Sequence, residues 1–172
     1  IVLEIVATNS LSDLRHREAD IAIRNSAPTA PDMIARRMPD DYGVLFVTKA
    51  QGAYAAKDDA QEAPFIGFSE GDDTDYLAFL QGELPITSKN FAVRTKNHLV
   101  HLSLARAGVG IGMTMAEMGD ADPDMVRAFP DMPPVPFPVW LVAPRELKTS
   151  KRVRIVFDCI AEICEQRRMK PS

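Results

Sequence analysis

Short apolar, β-branched runs recur along this chain with helix-length segments between them. That alternation builds a sheet with helices packed on it, an α/β fold. Residues 2–7 (VLEIVA), 19–24 (ADIAIR), 33–38, 42–48 (YGVLFVT), 65–68 (FIGF), 91–94, 110–114, 126–129 and 139–143 (VWLVA) read as strands. Helical stretches are expected at 11–17, 51–57, 75–81, 97–107 and 115–118. A long C-terminal helix follows Ser150, with Val153, Val156, Phe157, Ile160 and Ile163 on one face. Asn97 is placed to cap the 97–107 helix and Gly108 to stop it; Gly82 is expected to close 75–81. Pro39-Asp40-Asp41 is predicted to turn the chain between two strands. Residues 130–138 hold five of the thirteen prolines and read as an extended connector.

Composition narrows the function classes. Hydrophobic residues are 46% and charged residues 26% of 172, the balance of a soluble folded protein. No run approaches the roughly 20 apolar residues that span a bilayer, so no membrane role is expected. The net charge is -4, against what a self-sufficient nucleic-acid binder needs. Charge is uneven: residues 57–83 carry one Lys against eight Asp or Glu, and 145–172 carry eight Lys or Arg against four. Both read as solvated surface. Cys159 and Cys164 share one helix, and five residues of helix rise about 7.5 Å, beyond the reach of about 7 Å between Cα atoms in a disulfide. Two reduced thiols are expected, which fits a reducing compartment.

The motifs are mostly informative by exclusion. Gly108-Val-Gly-Ile-Gly112 follows a helix and enters a strand, the reverse of a phosphate-cradling loop. His98 and His101 share one side of a helix, but no Cys or carboxylate completes a metal set. No nucleophile–base pair stands out, so no catalytic residue, metal or cofactor is assigned. What recurs is polar residues at strand ends: Thr8, Asn9 and Ser10; Arg24, Asn25 and Ser26; Ser69; Thr95, Lys96, Asn97 and His98; and Thr114. In open α/β sheets ligands settle outside the carboxyl ends of strands. Each residue alone also reads as a cap or a strand stop.

Three segments carry a resemblance. Leu14-Arg-His-Arg-Glu-Ala-Asp-Ile-Ala-Ile-Arg24, Ala105-Arg-Ala-Gly-Val-Gly-Ile-Gly112, and Val139-Trp-Leu-Val-Ala-Pro-Arg145 with Arg152-Val-Arg154 resemble, in order and spacing, segments of LysR-type transcriptional regulators. Met115 stands where that family usually has a proline. The resemblance implies a two-lobed periplasmic-binding-protein-like (type 2) effector domain with two crossover strands. Lobe one would be 1–45 plus 133–172 and lobe two 46–132, with a small-molecule effector between them. Thr95–His98 would form one wall of the site, faced by Thr8 and Asn25, and Thr8, Asn9, Ser10, Arg24, Asn25, Ser69, Thr95, Lys96, Asn97, His98 and Thr114 are the candidate effector contacts. Arg24 and Lys96 favour an anionic effector; pairing of Arg24 with a nearby carboxylate is the competing reading. The resemblance further implies a cytoplasmic regulator, not an enzyme, that self-associates to a dimer or tetramer, with helix 97–107 at the interface. It would meet DNA only through an N-terminal winged helix-turn-helix not present in this chain. Residues 2–7 match the family's second strand, so the native polypeptide is expected to extend upstream. A secreted solute-binding protein of the same fold and an α/β enzyme are the alternatives.

Overall fold

The structure is a computed structural model; it describes residues 1–7, 19–54, 56–68 and 72–167. Among the described residues seven strands and four α-helices follow one another: β1 (Ala22–Arg24), β2 (Met33–Thr48), β3 (Ile66–Gly67), α1 (Asp72–Glu83), β4 (Val93–Arg94), α2 (His98–Arg106), β5 (Gly112–Met115), α3 (Ala116–Asp120), β6 (Met125–Arg127), β7 (Val135–Pro144) and α4 (Lys151–Arg167). The chain divides into two compact units, 1–41 with 136–172, and 42–135. It passes between them within β2 and at the start of β7.

In the first unit β1 runs antiparallel to β7, with Ile23 opposite Leu141, and β7 lies beside β2. Its core joins Met38 and Leu141 to Ala161, Phe157, Ile160 and Cys164 of α4. The inward stripe of α4 is therefore Val153, Val156, Phe157, Ile160, Ala161 and Cys164, a 3-4 spacing. Ile163, expected on that face, is 52% exposed instead. It falls a third of a turn away from Cys164, which fills the position.

In the second unit β5 and β6 both run antiparallel to β2. Phe46 registers with Gly112 on one side and Arg127 on the other. A separate sheet pairs β3 with β4 in parallel. The core gathers Val44, Phe46, Ile66, Ala105 and Met125. α2 shows why its sequence folds as it does. The Asn97 side chain caps it, and its C-terminal end is a Schellman motif, with Gly108 N–H donating to Ala105 O and Val109 N–H to Leu104 O. Gly108 sits at φ 73°, a conformation glycine adopts without a Cβ penalty.

Several sequence expectations are corrected. Residues 2–7 form no strand, and Val2 is 97% exposed; a strand exists only with a ladder partner, and the described residues supply none. Pro39-Asp40-Asp41 does not turn the chain, because β2 runs straight through it. Proline's φ lies within the extended range, and the β5 ladder begins only at Gly43, past the missing donor. Likewise β7 absorbs Pro136 and Pro138 from the expected connector. They precede the residues 140–142 that β1 pairs with and, two apart, remove donors from one edge only. The helix expected at 51–57 is a 3-10 turn at Lys57–Gln61, since Gly52 at φ 77° cannot continue a right-handed helix. Gly82 lies inside α1 and does not end it. The segment 11–17 falls outside the described residues.

Candidate functional site

The second unit brings one run of the candidate residues together at the carboxyl ends of the parallel pair β3–β4. Thr95 N–H donates to Gly67 O at 3.1 Å, continuing the ladder one step past β4. Phe68 and Thr95 are thus the first residues beyond the two strand ends. Thr95 Oγ1 accepts the Asn97 N–H at 3.1 Å. Asn97 Oδ1 accepts the N–H groups of Leu99 and Val100 at 2.9 and 3.2 Å. The cap takes two of the first-turn amides of α2. The His98 N–H is the first-turn donor that the cap does not engage, at the positive end of the helix dipole.

Phe68 organises the floor beneath. Its ring stacks on His101 with centroids 4.4 Å apart and 8° between planes, and meets His98 at 4.8 Å. His101 is only 1% exposed, and its Nε2 accepts the Met113 N–H of β5 at 3.0 Å. A neutral imidazole that accepts at Nε2 carries its proton on Nδ1, and that Nδ1 has no hydrogen-bond partner among the described residues. Burial, aided by the neighbouring His98, pushes the His101 pKa down to about 4. His101 is therefore a neutral structural strut. Gly112 makes room for it: a Cβ there would lie 2.8 Å from the Ala105 Cβ and 3.1 Å from His101 Nε2. Gly112 thus serves packing between α2 and β5, while a Cβ at Gly110 would lie 2.7 Å from the Pro64 carbonyl oxygen.

The other candidates are distributed. Thr8, Asn9, Ser10 and Ser69 lie outside the described residues. Arg24 closes β1 opposite Trp140, with exposed Asn25 after it, both in the first unit. Thr114 is half-buried on β5 opposite Val44. Among the described residues no three His, Cys, Asp or Glu side chains gather as a metal set. Cys159 and Cys164 are both free thiols. A recess of about 400 Å³ opens near the far end of α2, lined by Arg106, Met118 and residues 121–124. Its half-buried Asp122 is already bonded to Arg106 at 2.6 Å. Phe68 escaped the sequence reading because an apolar residue ending a strand carries no local mark of a ring stack.

A family model for the LysR substrate binding domain matches residues 1–165. The chain belongs to that family, whose members are effector-binding domains of transcriptional regulators, and it has the family's periplasmic-binding-protein-like type 2 fold. The family therefore favours the small-molecule effector-sensing domain of a LysR-type regulator over a secreted solute-binding protein. The effector domain of the regulator AmpR of Pseudomonas aeruginosa is similar at 16% identity and TM-score 0.69, over 95% of this chain and 81% of that one. The regulatory domain of CcmR of Synechocystis PCC6803, in complex with 2-PG, is similar at 10% identity and TM-score 0.64, over 88% and 76%. CrgA, a LysR-type regulator from Neisseria meningitidis, is similar at 16% identity and TM-score 0.71; the match covers 92% of this chain and 57% of CrgA. No curated protein matches the sequence. No helix among the described residues is long and apolar enough to cross a membrane.

Proposed function

We propose that the β4–α2 junction, residues 95–98 with Phe68, is an effector contact, and that the effector is a small anion such as a carboxylate or phosphate ester. One observation carries this reading: Thr95, Lys96, Asn97 and His98 stand in sequence where two parallel strands end and a helix begins. Strand carboxyl ends and a helix N-terminus both favour a bound anion. Lys96 adds a positive charge, and the Thr95 hydroxyl, while accepting from Asn97, keeps a proton to donate. Thr8, Asn9, Ser10, Arg24, Asn25, Ser69 and Thr114 are further proposed contacts.

The effector acts by its differential affinity for two arrangements of the regulator. We further propose a cytoplasmic setting, DNA contact through a separate N-terminal head, and self-association through the outer face of α2, where Leu99 is 63% and Val100 46% exposed. No catalytic chemistry is assigned.

The test is Thr95→Val against a panel of anionic metabolites. The variant should lose about 0.5–1.5 kcal/mol of stability with the Asn97 N–H bond. Its effector affinity, measured by calorimetry below the melting range, should fall by a further hydrogen bond's worth, ~0.5–1.5 kcal/mol. Unchanged affinity in Thr95→Val, Asn25→Ala and Thr8→Val alike would place the site elsewhere.

A further inference from the structure

In the first unit β2 is an edge strand. β7 lies along one side of it. Among the described residues no strand pairs with 33–41 on the other side, and the β5 and β6 ladders begin only at Gly43 and Phe46. This stretch presents about 30 Å of edge, long enough to template pairing with another chain. Its two sides can be assigned residue by residue. Arg145 N–H donates to Asp32 O at 2.8 Å, where the end of β7 meets the start of β2. Alternate residues of a strand turn their N–H to the same side. Ile34, Arg36, Met38 and Asp40 therefore face β7, and Arg37, Pro39 and Asp41 face outward. The proline has no N–H to present there.

Charge does not guard this edge. The stretch carries Arg36 and Arg37 against Asp40 and Asp41, which cancel. Arg36 is held by Glu165 of α4 at 2.6 Å, and Arg37 by Asp40. We infer that Pro39 keeps the edge single, and that the pairing it prevents is antiparallel, with the same edge of a second copy. A two-fold axis through residue 39 would set each Arg37 opposite the other copy's Asp41, an attractive cross-strand pair. A parallel pairing in register would set arginine on arginine and aspartate on aspartate, so charge leaves the antiparallel one. What that register lacks is its centre. The residue on the axis has to donate to its own counterpart, and proline donates nothing. The edge is distinct from the α2 face, and the inference does not depend on the effector reading.

Sedimentation of Pro39→Val and Pro39→Thr over a range of concentrations tests it. Both residues suit a strand and restore the donor. Each variant should self-associate about tenfold more tightly than the native chain, and the Arg37 amide should exchange more slowly with solvent. The gain should appear equally in a Leu99→Asp background, where the α2 face is disrupted. Arg37→Asp added to Pro39→Val should abolish it by setting aspartate against Asp41, and Asp41→Arg added to that pair should restore it. Tighter association in Pro39→Val alone would trace the gain to added apolar surface and overturn the inference. So would no gain in either variant, a gain indifferent to Arg37→Asp, or a gain lost in Leu99→Asp.

Discussion

Gly119→Ala should destabilise the second unit by about 1–3 kcal/mol, the cost of forcing an extra methyl into a packed core. Intrinsic helix propensity points the other way: alanine in place of glycine in a helix is worth roughly 1 kcal/mol in alanine's favour. Packing decides, because a Cβ at Gly119 would overlap Cε2 and Cζ of Phe46. Phe46 is buried between β5 and β6 and has no room to yield. Gly82 of α1 is the internal control, since a Cβ there meets nothing within 4 Å. Gly82→Ala should stabilise by about 0.5–1 kcal/mol. Urea unfolding of both variants checks the pair; opposite signs are expected, and a stabilised Gly119→Ala would contradict the described α3–β2 contact.

Acid should destabilise the chain through His101. Its folded pKa of about 4 lies below the ordinary 6.5, so between those values the unfolded state binds the proton that the folded state refuses. Stability is then full above about pH 6.5 and declines as pH falls toward 4, by an amount on the order of 3 kcal/mol. The structural cause is specific. A proton on Nε2 would set N–H against the Met113 N–H that it now accepts, inside the stack with Phe68. His101→Gln keeps an acceptor at about the Nε2 position and removes the titration. Unfolding at pH 7 and pH 4.5 should show the acid loss in the native chain and much less of it in His101→Gln. An equal loss in both would assign it to other groups.

Local signals were legible in the sequence and long-range ones were not. α2 could be read from its ends, because an Asn cap and a glycine in positive φ act within a few residues of themselves. The continuity of β2 could not. Pro39-Asp40-Asp41 is good turn chemistry, and only the pairing of β2 with distant strands holds it extended. Residues 2–7 have strand composition, but composition cannot supply a partner strand. On α4 the 3.6-residue period was clear, while the choice between Ile163 and Cys164 for the inner stripe rested on where Met38 and Leu141 arrive from other parts of the chain. The same division runs through the site. Thr95 and Asn97 were recognisable at a strand-to-helix junction. That His101 would be a neutral strut on Phe68, accepting from Met113, depended on contacts between elements.

Backbone amide shifts of the isotopically labelled chain, followed while an anionic metabolite that raises its melting temperature is titrated in, test the effector reading most directly. The largest saturating changes should fall on Thr95, Lys96, Asn97 and His98, with the His98 amide moving as an acceptor reaches it and the Met113 amide holding still. Saturable binding whose changes gather elsewhere, with residues 95–98 unmoved, would contradict the assignment of the β4–α2 junction as the effector contact.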